Sequence, residues 1–522
     1  MTPNRDTGLA WRYHNLTKHS YWSIRTSPHY LDWSNQPSPF KIYPSIEPIK
    51  LPTEFAFTGA RALEAVASPG SQPDKVSGEA IPTLEQLASL LLYSAGVTKE
   101  KKYAGGSFYF RAAACAGALY PTEVYVVCGG IDGLAAGVYH FNPGDFSLRQ
   151  LRSGDHRGAL ALATAAESAI TKAPVILVYS AISFRSTWKY RDRAYRYHFW
   201  DNGMILANAL AMAAAHELPA EAVLGFVDSD VNGLIGIDGR SELPLSLLAL
   251  GHAETGSPAA SQANELAELN FEVIPLSSEP VDYPSIREMH DASSLSDQGE
   301  VGSWRESARG WSACRTESVA DVGLAPLSLP ANDELSEVSL EAVIERRGST
   351  RRFARKPILL VDLSIMLDRA TRSIPIECLK SGAHLNELYM IVNRVEGLEP
   401  GAYFYRRDER SLELLKAGDF SEKASYLVLE QALGGDASVT IFFKVDLESV
   451  LSSFGNRGYR VAQLEAGVIG GKIYLGAYAI KRGATGLTFF DDEVTEFFSP
   501  HAAGKNCMLV VSVGAPGKRP MY

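Results

Sequence analysis

The sequence lacks most of the features that announce a compartment or a chemistry. Its five cysteines (Cys115, Cys128, Cys314, Cys378, Cys507) are an odd number, widely spaced and without a Cys-x-x-Cys. That excludes a disulfide framework and a cysteine zinc site. The most apolar helix-like run, around 203–215, falls short of the roughly 20 residues a bilayer crossing needs. Residues 1–19 carry several charges and no apolar h-region, so no secretory signal is read there. Positive charge is not in excess: 50 Lys and Arg against 60 Asp and Glu give a net charge of −10. No basic field therefore points to nucleic acid or an anionic membrane. The expectation is a cytoplasmic protein with no nucleic-acid and no membrane partner. Phosphate-loop, dinucleotide, His-Glu-x-x-His and Gly-x-Ser-x-Gly motifs are missing too, and the 11 histidines are scattered, so no metal site is expected.

What the chain does contain is itself, twice. Glu123-Val124-Tyr125-Val126-Val127 reads against Glu387-Leu388-Tyr389-Met390-Ile391, and Gly137-Val138-Tyr139 against Gly401-Ala402-Tyr403. Gly154-Asp155 matches Gly418-Asp419, and Arg193-Ala194-Tyr195-Arg196 matches Arg457-Gly458-Tyr459-Arg460. The separation is identical each time, and chance does not hold one register all the way from Glu123 to Arg196. Each copy opens with an amphipathic helix (83–94; 339–346 and 362–370). Strands follow at 123–129 and 137–141, or 387–393 and 401–405, then a buried strand at 174–179 or 439–445. A long helix rich in small residues (195–216 or 459–481) precedes a last strand at 245–250 or 508–513. Ala and Gly on several faces of those helices suit a close helix–helix interface between the copies, which makes the chain an internal pseudo-dimer. The domains expected are 1–251 (an extension plus copy one), 252–337 (a surface crossover linker) and 338–522 (copy two).

The sharpest local signal is Arg346-Arg347-Gly348-Ser349-Thr350-Arg351-Arg352. Guanidinium groups, a hydroxyl and open backbone N–H groups in one turn suit a phosphate monoester, and equally a solvated basic turn. Gly517-Lys518-Arg519 adds charge near the C-terminus. Copy one offers only the less basic Thr17-Lys18-His19-Ser20 with Arg25 as a counterpart. Small-residue turns, Ala114-Cys115-Ala116-Gly117-Ala118 and Lys380-Ser381-Gly382-Ala383, precede the first strand of each copy. They let a planar ligand lie against the backbone, or are simply tight loops. Gly483-Ala484-Thr485-Gly486-Leu487 is a second loop of this kind. Lys189-Tyr190 can do proton work, a cationic neighbour favouring the phenolate or the free amine. The matching Ser453-Phe454 has no such group.

With these residues together, the chain resembles the nitroreductase-like flavoproteins, in the SagB-type dehydrogenase (azoline oxidase) branch and in tandem. Arg347-Gly348-Ser349-Thr350-Arg351 looks like the family's Arg-Arg-Ser-x-Arg turn, with Gly348 in place of the second arginine. Gly117–Glu123, Trp188-Lys189-Tyr190, Arg193-x-Tyr195-Arg196 and 483–496 are similarly family-like, while Ala114-Cys115 stands where Pro-Ser is usual. The resemblance implies an α+β fold, two copies each with a central mixed sheet flanked by helices, and FMN bound between them. Carried over, Arg347, Ser349, Arg351, Gly486 and Arg519 of copy two would hold FMN with Cys115, Ala116 and Gly117 of copy one. A reciprocal site would need His19, Ser20 and Arg25 with Ser381 and Gly382, so one FMN per chain is expected. Lys189 and Tyr190 match a Lys-Tyr pair implicated in deprotonating a heterocycle while hydride passes to the flavin. The function implied is oxidation of an azoline-like, peptide-derived or small substrate, with a further homo-oligomer left open. The alternatives are an NAD(P)H-dependent nitro or quinone reductase and a non-catalytic scaffold subunit of a peptide-modifying complex.

Overall fold

A computed structural model describes residues 3–68, 78–103, 106–258, 266–311, 323–372, 374–380 and 382–518. Cys314, Ser381 and Arg519 lie outside the described residues. The two copies form two seven-stranded sheets. The first runs in the order Pro48–Lys50, Ser147–Ser153, Gly137–Asn142, Thr122–Cys128, Val175–Ile182, Glu242–Leu250, Ala220–Val223. The second repeats it as Leu324–Pro326, Ser411–Ala417, Gly401–Arg406, Glu387–Val392, Val439–Val445, Asn506–Gly514, Gly483–Leu487. The α+β fold and the duplication are as expected. The sheets are antiparallel throughout rather than mixed: hairpins join the strands at one side, and the strands after the long helices re-enter beside antiparallel neighbours. The central strands are apolar on both faces because both are covered. Along Thr122–Cys128, Val124, Val126 and Cys128 join the core shared by both copies, and Tyr125 and Val127 a second core on the outer face.

Helix Leu84–Ala95 starts where Thr83 and Gln86 form a reciprocal capping box, and Leu340–Arg346 where the Ser339 hydroxyl accepts the Ala342 N–H. Leu84 and Leu360, which open matching helices, stand further apart in the chain than the matching strands do. The change falls where copy one carries an exposed hairpin, Val97–Tyr103 with Gly106–Arg111.

The long helices, Ala194–Ala215 and Arg457–Ala479, are buried almost end to end against each other. Glycine makes the approach possible. A Cβ on Gly203 would collide with the Leu464 carbonyl oxygen, and one on Gly467 would sit 2.5 Å from that of Trp200. The repeated Arg-x-Tyr-Arg segments open these helices and reach across the seam. Arg193 and Arg196 of copy one bind the two oxygens of Asp491 at 2.9 and 2.7 Å. Arg457 and Arg460 of copy two bind those of Asp228, both at 2.7 Å.

Two arms complete the clamp. Helix Gly8–Leu16 packs on copy two and helix Pro284–Ala292 on copy one, separated along the chain as Leu84 is from Leu360. His14 Nδ1 lies 3.2 Å from the Tyr459 hydroxyl, and His290 Nδ1 3.3 Å from that of Tyr195. The His14 and His290 carbonyls accept from Arg196 and Arg460, each at 2.7 Å. The stretch expected as a surface crossover is therefore core in part: Ile286, Met289, Val301 and Trp304 are buried, and Leu324–Pro326 is the edge strand of the second sheet. The physical reason is that the clamp's arginines need carbonyls and hydroxyls from a third element to satisfy their remaining donors.

Gly203→Val should force the helices apart and cost about 3 kcal/mol or abolish folding, while Gly302→Ala, with open space at its Cβ, should leave the thermal midpoint unchanged or raised. Burial opposes ionisation of Asp228, yet Arg457 and Arg460 hold its carboxyl far below the usual range. Its contribution is therefore complete above its unfolded value near 4 and disappears as pH falls through the acid range. Asp228→Asn should cost roughly 3–5 kcal/mol at pH 7 and flatten the acid limb of stability in urea melts, because two buried guanidinium groups lose their counter-charge.

Candidate active site

One cavity of about 250 Å³ opens on the seam between the copies. Copy one contributes Ala114–Gly117, Lys189, Tyr190, Tyr197, Trp200, Asp201 and Met204; copy two contributes Ser349, Arg351, Tyr474, Thr485–Thr488 and Leu509. Of the residues expected at the site, the structure gathers Cys115, Ala116, Gly117, Lys189, Tyr190, Ser349, Arg351 and Gly486 around this one space. Arg347 is not among the lining residues. Its Nε and Nη2 donate to the carbonyls of Ala112 and Arg111, so it ties the arginine turn of copy two to copy one.

The turn before the first strand is held in a left-handed backbone: φ is 65° at Gly117, 54° at Ala118 and 50° at Tyr120. Gly117 is required twice over, since a Cβ there would also lie 2.8 Å from the Tyr190 hydroxyl. Opposite, the Gly486 N–H donates to the Tyr474 hydroxyl at 2.5 Å, and the Ser349 hydroxyl lies 3.4 Å from the same oxygen. Tyr190 packs edge-on to Tyr197, with centroids 4.4 Å apart, and Tyr197 tilts over Trp200 at 4.5 Å.

No carboxylate lies within ion-pairing distance of Lys189 or Arg351 among the described residues. Burial and then the Arg351 charge lower the Lys189 ammonium below its ordinary value. Burial, with Tyr197, Asp201 and Cys115 nearby, raises the Tyr190 phenol well above its own. Of the two groups, the lysine is the one shifted toward a free base, and the tyrosine remains a neutral hydroxyl. Asp201 is pushed up to about 7 by burial, against its bonds from the Ala116 N–H and the Cys115 thiol.

Tyr197, Trp200, Asp201, Met204 and Tyr474 escaped the sequence reading. The first four fall at positions i, i+3, i+4 and i+7 of the first long helix and so share a face. Their partners in the repeat register are Val461, Leu464, Glu465 and Val468, three of them aliphatic. That contrast between copies was available in the sequence.

The arginine turn's counterpart in copy one is not Thr17–Ser20. Arg61 bridges Ser339, with Ala62 N–H to Val338 O and Leu340 N–H to Ala60 O, both at 2.9 Å, so helix Ala62–Ala67 matches Leu340–Arg346. The matching turn thus begins at Ser68, and residues 69–77 lie outside the described residues. His19, Ser20 and Arg25 are engaged elsewhere: the His19 N–H donates to Asp491, Ser20 caps Tyr21–Arg25 and Arg25 pairs with Glu430.

The reciprocal position is filled. By strand register, Leu487 and Thr488 of the cavity correspond to Val223 and Leu224. There the Leu224 and Gly225 N–H groups donate to the Glu377 carboxylate at 3.1 and 2.7 Å. Trp304 and Arg305, from helix Gln298–Gly310, pack so closely that a Cβ on Gly225 would lie 2.9 and 3.1 Å from them.

A duplicated α+β unit with one cavity built jointly by both copies defines an oxidoreductase fold of known type. A model of the Nitroreductase family matches residues 74–252. A protein of Methanocaldococcus jannaschii named "Putative nitroreductase" is 31% identical over 169 residues, which cover 32% of this chain and 80% of that protein. The trifolitoxin-processing protein TfxB of Rhizobium leguminosarum bv. trifolii is 26% identical over 226 residues, 40% of this chain and 56% of TfxB, so the chain spans about half the length of that relative. The crystal structure of a "putative nitroreductase" from Anabaena variabilis matches over 98% of this chain and 99% of its own, with a TM-score of 0.76 and 26% identity. The chain belongs to the nitroreductase family of oxidoreductases. No helix among the described residues is long and apolar enough to cross a membrane, and none of their His, Cys, Asp and Glu residues cluster as a metal site.

Proposed function

We propose that the chain is an FMN-dependent oxidoreductase of the SagB type, which oxidises an azoline-like, peptide-derived or small substrate in the seam cavity. The observation that carries this reading is the meeting, in one cavity, of Lys189 and Tyr190 from copy one with Ser349 and Arg351 from copy two. The residues fit the cofactor. Arg351 is a cation that no carboxylate neutralises among the described residues, and Ser349 adds a hydroxyl, which suits a phosphate. Tyr190, Tyr197, Trp200, Met204, Leu487 and Leu509 offer flat and apolar walls for a ring system, and Gly117 and Gly486 let it approach the backbone. When bound, FMN would supply a two-electron acceptor for a hydride.

The chain's own residues do the rest. Lys189, as the free amine, takes a proton from the substrate carbon, and Tyr190 donates a hydrogen bond from its neutral hydroxyl. Arg351 holds the anion and favours the uncharged state of Lys189. The relative named for trifolitoxin processing supports a peptide-derived substrate over a free nitro compound. Glu377, Trp304 and Arg305 at the reciprocal position support one cofactor per chain.

The visible absorption spectrum, followed by heat release and quantification of the flavin, tests the reading. It should give one FMN per chain, lost in Arg351→Ala and retained in Arg25→Ala; a protein that stays colourless with added FMN would refute it. Lys189→Ala and Tyr190→Phe should keep the flavin and slow substrate oxidation roughly 10²–10⁴-fold. In the wild type the rate should rise with pH as the Lys189 amine loses its proton, on a limb centred below the ordinary lysine value of about 10.4. That limb should be missing from Lys189→Ala. Rapid bleaching of the flavin by NAD(P)H would support a nitro or quinone reductase instead.

A further inference from the structure

The cavity wall contains a pair that the proton chemistry above does not use. Asp201, 4% exposed, accepts the Ala116 N–H at 2.8 Å with Oδ1 and the Cys115 S–H at 3.1 Å with Oδ2. The same sulfur accepts the Tyr120 N–H at 3.1 Å. One carboxylate thus spans the start of a turn in which two non-glycine residues, Ala118 and Tyr120, have positive φ. Such a backbone persists only where its surroundings over-determine it.

We propose that Asp201 is the positioning residue of this wall: it holds the Cys115–Tyr120 turn in its left-handed form and presents Cys115 to the cavity as a neutral, hydrogen-bonded thiol. The second copy supplies an internal comparison. Glu465, its partner in the repeat register, does the corresponding task with its longer side chain, accepting the Leu385 and Asn386 N–H groups at 2.8–3.1 Å and the Asn386 side-chain amide at 2.7 Å. Among the described residues no thiol takes part there. The Asp–Cys pairing belongs to copy one, whose small-residue turn lines the cavity.

The groups facing the pair are Tyr120 on the turn, Arg111 on the strand before it, Lys189 and Tyr190, Tyr197 on the helix of Asp201, and Arg347, Arg351 and Tyr474 from copy two. None of these cations bonds to the carboxylate among the described residues. Burial first, and then the Asp201 charge, raise the Cys115 thiol well above its ordinary value. The consequence for catalysis rests on the flavin reading above: a thiolate here would be a nucleophile beside an electron-poor ring, and a protonated thiol is not.

Alkylation of the full chain by iodoacetamide, read at Cys115 by peptide mass spectrometry between pH 6 and 10, tests this apart from flavin binding, and the flavin content of the same samples is recorded. Asp201→Asn keeps an oxygen for the Ala116 N–H but removes the charge that opposes thiolate formation. Its Cys115 should react at least about tenfold faster than the wild type at pH 8, as expected when a thiol's titration moves down by about one pH unit. Equal rates would overturn the proposal even if FMN is bound as expected. In the wild type alone, Cys115 should react at least about tenfold more slowly than free cysteine at pH 8, and a rate matching free cysteine would overturn it as well. Loss of flavin with the predicted alkylation profile intact would count against the FMN assignment and not against the pair.

Discussion

Two buried carboxylates, each gripped by two arginines from the other copy, are the interaction on which the rest of this structure depends. Asp491 and Asp228 sit against the starts of the two long helices, and neither could remain ionised in the core without the Arg-x-Tyr-Arg segments that reach them. A buried clamp of this kind adds little net energy compared with well-packed apolar residues. What it fixes is register. Charge must meet charge at both ends of the seam, so the helices have one way to pair, and the glycines at 203, 467 and 471 let them pair closely. That register places the turn of copy one opposite the arginine turn of copy two, and so creates the cavity.

The symmetry of the clamp makes the asymmetry of the sites informative. Both copies have the same strand order, the same long helix and an arm laid over the partner. Yet one inter-copy position is a cavity lined by aromatic rings and two cations, and the other is closed by Glu377, Trp304 and Arg305. The carboxylate of Glu377 takes the backbone N–H groups of Leu224 and Gly225, at the strand end that matches the cavity's Leu487 and Thr488. A duplicated chain with two fixed copies is free to do this, because a crossover that joins them is present once and can serve one side only.

Lys189 and Tyr190 show how the seam sets chemistry as well as shape. Both stand at the end of a helix in copy one, but the charge that shifts Lys189 comes from Arg351 in copy two. Burial shifts both groups first, and the Tyr197, Asp201 and Cys115 side chains that add to the Tyr190 shift belong to copy one. The pairing of copies therefore supplies part of the electrostatic environment of the pair, in the same act that brings Ser349 and Arg351 to the cavity.

The sequence by itself determined the duplication, the elements and their order, because periodicity and a constant repeat register are properties of the chain alone. It also pointed to Cys115–Gly117, Lys189, Tyr190, Ser349, Arg351 and Gly486, through two small-residue loops, an arginine turn and a Lys-Tyr pair. The arms escaped, although His14-x-x-Thr17 is repeated as His290-x-x-Ser293, because a hairpin inserted in copy one breaks the register between them and the strands. Arg347 read as a cofactor ligand and donates to two carbonyls of copy one; Asp201, Trp200 and Met204 read as ordinary helix and line the cavity. Which face of a helix meets a cavity, and which arginine meets a carbonyl, depend on atoms far away along the chain. Only the packing of the two long helices decided them.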